Sequence, residues 1–361
     1  MNTMPSVNIE IAFHPSMFPE PWRAGMIESL RHHLVPGSFL YHSPAQAGRW
    51  LAYHQAYSPS RRDAALQNYY RDAFTMALRQ AVGDETREAG LRLVSLGCGG
   101  GTKDAEFLAC CADFMQTGKG GHLPLNRVHY LPLDASATLL VEALHRVRER
   151  FAGTAAGMPK AAPLVADIAR EPDLGEWITS NTNGTTHIPT VFTCFGLLPN
   201  LAAADFCNYL ARWLDPPHLL VISANLSPRG MNADRNWILP QYDNPQARRW
   251  YFGALGELGF PMETVSVNVT TRVLDDDQEV WRIVVEAELL SDFTLPIYDT
   301  EISYGAGQII EAFSSSRYTV SAMEGVLHKA GLEISGRWLM DSGEEGIWIC
   351  RRVQHSGAAQ S

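Results

Sequence analysis

The chain has 361 residues, 46% of them hydrophobic and 19% charged, with a formal net charge of -10. This length and composition allow a full core, in one large domain or in two that pack closely together. Nucleic-acid binding relies on clustered lysine and arginine, so the acidic balance argues against a DNA or RNA partner. The first 21 residues lack the basic start and apolar run of a signal peptide, and no segment reaches membrane-spanning length. We therefore expect a cytoplasmic protein with no membrane partner.

The cysteines show no spacing typical of a zinc site. The sequence contains 6 of them, with no Cys-x-x-Cys pair and no matching histidine pattern. We expect reduced, mostly buried thiols and no bound metal. Residues 355–361 combine small and polar side chains, and we expect a flexible tail there.

From Leu91 onward, short apolar segments bounded by Gly, Pro or Asp alternate with longer segments of helical period. The predicted strands are Leu91–Leu96, Arg127–Leu133, Pro163–Ala166, Thr190–Phe195 and His218–Ala224. The predicted helices are Lys103–Met115, Ala137–Phe151 and Ala203–Leu214. Such alternation is typical of a parallel sheet covered by helices on both faces, so we predict an α/β fold with a doubly wound sheet.

The alternation changes after Asn225. A predicted helix and an antiparallel hairpin with a polar turn come first, at Asn244–Leu258, Thr264–Leu274 and Glu279–Leu289. The α/β pattern then returns with the helix Thr319–Ala330 and the strands Glu333–Met340 and Gly346–Val353. We therefore expect an inserted α+β domain: residues 64–228 and 319–354 form the core, while residues 1–63 and 229–318 form a substrate-binding cap.

The first predicted strand runs into the glycine-rich turn Gly97-Cys98-Gly99-Gly100-Gly101, which opens a helix. Glycines let the backbone turn sharply and approach a ligand closely. The Gly-x-Gly-x-Gly spacing lacks the Gly-x-Gly-x-x-Gly pattern that places a pyrophosphate on a helix N-terminus. The turn therefore favours a nucleoside without phosphates, and an NAD-linked oxidoreductase is the less favoured alternative.

Two acidic residues end the next two predicted strands. Asp134 follows the second strand, where a carboxylate can accept both ribose hydroxyls of a nucleoside, and Asp167 follows the third, where it can accept the adenine amino group. Either residue could instead only cap a helix or a turn. Together with the glycine turn, they predict S-adenosylmethionine, a sulfonium nucleoside, as the cofactor.

These segments resemble the histidine-specific methyltransferases, which trimethylate the α-amine of histidine on the route to ergothioneine. Leu96–Lys103 is similar to the family's L-G-x-G-x-x-x-K, and Leu133–Ser136 to the strand end that carries its D-x-S. Tyr41–Asp63 is similar to its Y-x-x-x-G-S and E-Y-Y-P-T-R-x-E segments. Asn200 stands in the place of the asparagine that ends the family's G-S-T-I-G-N. Tyr242 matches the tyrosine of its Y-D segment, and Ser315 matches the serine of its S-x-K-[FY] stretch.

The resemblance implies a class I, Rossmann-like fold and a small-molecule substrate that is a free amino acid or a related amine. It permits a monomer, and a homodimer stays open. The cofactor residues that it implies, together with their neighbours in the turn and strand end, are Tyr57, Gly97, Cys98, Gly99, Lys103, Asp134, Ala135 and Asp167. The substrate residues that it implies are Tyr41, Asn200, Tyr242 and Ser315. No catalytic base can be named from the sequence.

One substrate position departs from the family. Two residues before the serine, the family has a glutamate that binds the imidazole of histidine, whereas this chain has Phe313. The change removes a hydrogen-bond acceptor and adds an aromatic face, which suits a cationic or aromatic amino acid such as arginine or a tryptophan derivative. Glu311 is a candidate for a displaced carboxylate, and Phe313 and Tyr41 are alternatively ordinary core aromatics.

The sequence therefore predicts a divergent N-methyltransferase of specialised metabolism. Two alternatives stay open: a histidine N-methyltransferase, and a non-catalytic protein that binds or senses S-adenosylmethionine on the same fold.

Overall fold

The computed structural model describes residues 9–82, 90–114, 123–180, 188–274 and 279–353. The helices are α1 Pro19–Arg31, α2 Pro44–Tyr57, α3 Pro59–Arg62, α4 Ala64–Ala81, α5 Thr102–Asp113, α6 Ala137–Phe151, α7 Gly175–Ser180, α8 Ala203–Ala211, α9 Met231–Ile238, α10 Pro245–Leu258 and α11 Val320–Lys329. The strands are β1 Ala12–Phe13, β2 Leu91–Leu96, β3 Val128–Asp134, β4 Lys160–Ala161, β5 Leu164–Val165, β6 Thr190–Phe195, β7 Leu219–Asn225, β8 Val265–Val273, β9 Val280–Leu289, β10 Phe293–Ile297, β11 Thr300–Tyr304, β12 Ile309–Tyr318, β13 Leu332–Leu339 and β14 Glu345–Arg352. None of these helices combines the length and apolar character needed to cross a membrane.

The large sheet has the strand order β1-β5-β3-β2-β6-β7-β14-β13, with β4 beside β3. Its strands from β1 to β7 pair in parallel, whereas β14 is antiparallel to both of its neighbours. A short link joins β13 to β14, and a connection that short can join only antiparallel strands, because parallel strands need a long crossover. The predicted doubly wound α/β sheet with an antiparallel end is confirmed.

The central strands are buried on both faces, which explains why apolar residues predominate on both faces of each strand. Along β2, Leu91 and Leu93 pack with residues of α4 and α5, whereas Val94 and Leu96 pack in the cluster that contains α8 and α11. Side chains that alternate between two cores fix the register of the strand, because a shift by one residue would exchange its faces. Because β2 pairs in parallel with both β3 and β6, the carboxyl ends of these three strands meet along one edge of the sheet.

A second, antiparallel sheet has the order β12-β9-β8, and β10 and β11 form a separate hairpin. Apolar side chains of the second sheet pack against α1 and α10. Strand β12 returns to the large sheet at its end, where the backbone N–H of Ser227 donates to the carbonyl of Tyr318 at 2.8 Å. Strand β12 therefore ends beside the carboxyl end of β7.

The predicted β8–β9 hairpin is present. Its antiparallel pairing runs from Val265, which is opposite Leu289, to Val273, which is opposite Trp281. Its turn at residues 275–278, the predicted helix end at Met115 and the predicted tail lie outside the described residues. Strand β1 pairs with β5 at the edge of the large sheet, so part of segment 1–63 joins that sheet. The division of the chain into a core and a cap stays a prediction.

Candidate active site

The glycine-rich turn at the end of β2 needs glycine for geometric reasons. Gly97, Gly99 and Gly101 have φ values of 67°, 52° and 68°, in the left-handed region that side chains disfavour. A Cβ on Gly101 would lie 2.5 Å from the Cα of Ala143 in α6. The turn also bonds to the neighbouring strand, because the N–H of Cys98 donates to the Leu133 carbonyl at 3.0 Å. The backbone here is thus held against the end of β3.

Asp134 is fixed by the same turn. Its Oδ2 accepts a 2.9 Å hydrogen bond from the N–H of Gly99, and its Oδ1 accepts one of 2.9 Å from the N–H of Ser136. The side chain is buried, and this burial raises the pKa of Asp134 to about 6 although both N–H groups favour the ionised form. Each carboxylate oxygen can accept a further bond, so acceptor positions remain for a ligand in the adjacent cavity.

Asp167 caps a short helix and also lines the cavity, and its role toward the cofactor stays a prediction. Its Oδ1 accepts a 3.1 Å bond from the N–H of Ala169 and caps a short 3-10 helix, which is the structural role. Its Oδ2 lies 3.6 Å from Nε of Arg170. The residue also lines the cavity beside Asp134 and Ala135, where a ligand can reach it.

Lys103 lies in a buried polar cluster that the sequence did not indicate. Its Nζ donates to the hydroxyl of Tyr70 at 2.6 Å and lies 3.3 Å from Oε1 of Glu345, which also accepts from Tyr70. The ring of Phe195 lies 5.2 Å from the ammonium. Burial is the main cause that lowers the pKa of Lys103, and the charge of Glu345 opposes it. The ammonium is thus held by protein partners that are far apart in sequence.

Two of the predicted substrate residues are the tyrosines Tyr242 and Tyr41. The hydroxyl of Tyr242 donates to Oγ of Ser315 at 3.4 Å and accepts a 2.7 Å bond from Nη2 of Arg317. Burial, followed by the charges of Asp134 and Tyr242, raises the pKa of Tyr41. The ring centroid of Tyr41 lies 5.6 Å from that of Trp50 and 5.5 Å from that of Trp250, and its phenol stays protonated at neutral pH.

Phe313 belongs to an aromatic wall made by α10 and β12. Its ring centroid lies 5.3 Å from that of Trp250, 5.7 Å from that of Tyr251 and 6.2 Å from that of Tyr242. The ring is partly buried and also faces the cavity. Phe313 is therefore both a packed aromatic and a cavity residue, so the two interpretations of it do not exclude each other.

Two predicted residues are held less firmly. The hydroxyl of Tyr57 donates to Oε1 of Gln246 at 3.3 Å. Asn200 ends the 3-10 helix Leu198–Asn200 and is exposed, in contrast to the buried Tyr242 and Ser315. A substrate contact with Asn200 would thus be made at the solvent side of the site.

One cavity of about 580 Å³ joins these groups. It is lined by all of the cofactor and substrate residues that the sequence predicted, namely Tyr41, Tyr57, Gly97, Cys98, Gly99, Lys103, Asp134, Ala135, Asp167, Asn200, Tyr242, Phe313 and Ser315. It is also lined by residues that the sequence did not single out, among them Trp250, Arg317 and Glu345. The glycine turn and Asp134 come from the ends of strands of the large sheet, and the aromatic wall comes from α10 and β12.

A family model of histidine-specific, S-adenosylmethionine-dependent methyltransferases matches residues 53–352. The chain belongs to this family. It is a methyltransferase that uses S-adenosylmethionine, and its large sheet is the Rossmann-like sheet of class I methyltransferases. The positive-φ glycine turn and the free acceptor positions of Asp134 fit such a cofactor. Tyr41 lies before the matched residues, so its assignment rests on the local resemblance alone.

The methyltransferase is distantly similar to several solved structures. One is an S-adenosylmethionine-dependent methyltransferase from Clostridium acetobutylicum ATCC 824, with 12% identity and a TM-score of 0.40, covering 85% of this chain and 99% of that one. Another is the magnesium protoporphyrin IX methyltransferase from Synechocystis PCC 6803 with bound S-adenosylhomocysteine, with 12% identity and a TM-score of 0.42, covering 87% and 97%. Such distant similarities do not bear on the substrate. No curated protein sequence matches the chain.

The raised pKa of Asp134 predicts that cofactor affinity depends on pH. Only the ionised carboxylate accepts from both ribose hydroxyls, and the protonated form predominates below the pKa of about 6. Affinity for S-adenosylhomocysteine should therefore fall about tenfold between about pH 8 and about pH 5, measured by calorimetric titration. Asp104 also has a pKa raised to about 6 by burial, so the Asp134→Asn variant is the control. A slope that persists in this variant would contradict the assignment to Asp134.

Proposed function

We propose that this methyltransferase N-methylates a free amino acid, or an amine derived from one, with an aromatic or cationic side chain, and that histidine is not its substrate. The observation that carries the proposal is the aromatic wall around Phe313, at the place of the family's imidazole-binding glutamate. An indole can stack on such rings, and a guanidinium or ammonium can lie over their faces. A histidine side chain would find no carboxylate from position 313.

Glu311 does not replace the missing glutamate in a simple way. Its carboxylate lies 3.4 Å from Nη1 of Arg272, and Nη2 of the same arginine is 3.0 Å from Glu286. The pairing of β12 with β9 is also irregular between Glu311 and Phe313. Glu311 lines the cavity, but its charge is already balanced by Arg272. This supports a substrate whose side chain is recognised mainly by aromatic faces.

The residues of the site have positioning work to do. When bound, S-adenosylmethionine supplies a methyl group on a sulfonium, which is a good leaving group. Asp134 and the glycine turn hold the nucleoside end, and Tyr242 and Ser315 hold the substrate end. The high pKa of Tyr41 makes its phenol a hydrogen-bond donor and not a base. The amine therefore reaches the site neutral or loses its proton to water, and the main contribution of the protein is alignment.

We further propose that residues 1–63 and 229–318 act as a cap on the core formed by residues 64–228 and 319–354, and that the product belongs to specialised metabolism. The cap is supported by Tyr41, Tyr242 and Ser315 of these segments, which line the same cavity as Asp134 of the core.

The test is to incubate the enzyme and S-adenosylmethionine with the free amino acids that occur in proteins, and with their decarboxylated amines. Mass spectrometry then shows which of these compounds gain methyl groups. We expect an aromatic or cationic member to be methylated best. A screen in which histidine alone gains methyl groups would refute the proposed substrate class. The readout also gives the number of methyl groups transferred.

The Phe313→Glu variant should shift substrate choice toward histidine. It returns the carboxylate acceptor to β12 beside Tyr242, and a site built to hydrogen-bond a substrate discriminates strongly for it. We expect kcat/KM for histidine to rise at least about tenfold and that for the best wild-type substrate to fall by a similar factor. Phe313→Leu is the matched control, because it removes the ring without adding an acceptor. If the leucine variant gains histidine activity equally, the carboxylate is not the cause.

A further inference from the structure

Arg317 is a buried cation without a carboxylate partner. The residue is 1% exposed, and its Nη2 donates to the hydroxyl of Tyr242 at 2.7 Å. Its Nε and Nη1 are buried and have no hydrogen-bond partner in the structure. Within the described part of the chain, no aspartate or glutamate forms an ion pair with it, although other buried charges such as Lys103 and Asp234 have ionic partners.

The position of Arg317 points its function toward the substrate. Phe313, Ser315 and Arg317 alternate along β12, and all three line the cavity. The strand ends beside Leu226, at the carboxyl end of β7, where Asn225 also lines the cavity. Arg317 thus lies on the β12 side of the site, next to the tyrosine that is proposed to hold the substrate.

A buried guanidinium with unused N–H groups is costly because it has lost its hydration; Glu344 interacts with Arg317 electrostatically but does not form an ion pair with it. A ligand carboxylate would supply both the missing charge and the missing acceptors, and arginine is well suited to this pairing. Among the residues that the structure describes, three other cations line the cavity. Lys103 already has Glu345 as its partner, and Arg61 and Arg282 are, unlike Arg317, only partly buried. Arg317 is therefore the group for which an anionic ligand would bring the largest gain.

We propose that Arg317, with the hydroxyl of Tyr242, binds the carboxylate of the substrate, so that the methyltransferase acts on an amino acid and rejects the corresponding decarboxylated amine. This inference rests on the proposed function, since it places the amine and the carboxylate of one molecule in the same cavity. It assigns to β12 a specificity for the anionic end of the substrate, in addition to the aromatic contact of Phe313.

The test compares acid and amine partners on the complex with S-adenosylhomocysteine. L-Tryptophan and tryptamine, L-arginine and agmatine, and the amine-free carboxylate indole-3-propionate are titrated calorimetrically into the wild type, Arg317→Met and Arg317→Lys. The matched control is Arg352→Met, an exposed arginine at the end of β14 that pairs with Asp215 and does not line the cavity. In the wild type, we expect at least one acid to bind about 30-fold or more tightly than its amine, as for a lost charge-assisted hydrogen bond.

Arg317→Met should remove this difference while affinity for S-adenosylhomocysteine is retained, Arg317→Lys should keep part of it, and Arg352→Met should keep all of it. The proposal is overturned if the wild type binds none of the carboxylates, binds acid and amine equally, or loses both equally in Arg317→Met. If indole-3-propionate binds through Arg317 but neither the amino acids nor their decarboxylated amines gain a methyl group, the carboxylate site stands and the proposed N-methylation fails. If the decarboxylated amines are methylated as well as the amino acids are, the N-methylation stands and the proposed carboxylate specificity fails.

Discussion

The Asp134→Asn variant is expected to bind S-adenosylhomocysteine about 100-fold more weakly than the wild type. The change removes the negative charge that is proposed to accept from both ribose hydroxyls, and a hydrogen bond to a charged group contributes about 1.5 to 3 kcal/mol. It also turns an amide NH₂ toward the N–H of Gly99 or of Ser136, which now donate to the two carboxylate oxygens. Calorimetric titration at a pH well above 6, where the wild-type carboxylate is ionised, measures the loss.

The control for this variant is Asp205→Asn, an exposed acid in the first turn of α8. It should leave the affinity unchanged. A purely structural role for Asp134 predicts a different outcome: the free energy of unfolding would fall, but the folded variant would bind S-adenosylhomocysteine within about threefold of the wild type. That result would remove the basis for assigning the nucleoside to the end of β3.

The largest effect on stability is expected from Gly101→Ala. The residue has a φ of 68°, and an added Cβ would meet the Cα of Ala143 at 2.5 Å and its Cβ at 2.6 Å. Backbone atoms of a buried helix cannot move aside cheaply, so the clash adds to the cost of the left-handed conformation. We expect the free energy of unfolding to fall by at least about 3 kcal/mol, measured by chemical denaturation followed by circular dichroism.

Gly153→Ala separates the two causes. Gly153 has a similar φ of 74°, but no atom lies within 4 Å of the position that a Cβ would take. Only the conformational cost remains, so the loss should be about 1 kcal/mol. If both variants lose the same stability, the close approach of the turn to α6 contributes nothing, and the requirement for glycine is one of dihedral angle alone.

Local sequence signals were sufficient for the central strands of the large sheet and for the acids at its edge, but not for its short strands β1 and β4. Each central strand is a short apolar segment with no polar face, because it is buried on both sides, and Asp134 marks the point where β3 ends. The antiparallel end could also be predicted, since the link between β13 and β14 is too short for a crossover. These features depend on neighbours in sequence, and the predicted bounds differ from the observed ones by only a few residues.

The remaining features depend on contacts between distant segments. Strand β12 contains three consecutive serines, followed by Arg317, so its sequence lacks the apolar alternation that predicts a strand. The partners of Lys103 come from α4 and β14, and Tyr70 and Glu345 are 275 positions apart. Neither residue stands in a pattern of its own. The unpartnered guanidinium of Arg317 is visible only once the cavity exists, because a buried charge cannot be recognised from residue type.

Strand β12 has a consequence for how new substrates can arise in this family. Its alternate residues Phe313, Ser315 and Arg317 line the part of the cavity that is proposed to bind the substrate, while the glycine turn and Asp134 belong to other parts of the chain. Point mutations on one short segment can therefore change which molecule is methylated and leave the methyl donor site intact. A change of substrate in this family then requires no change in the methyl transfer reaction. We expect natural variants to differ first in β12.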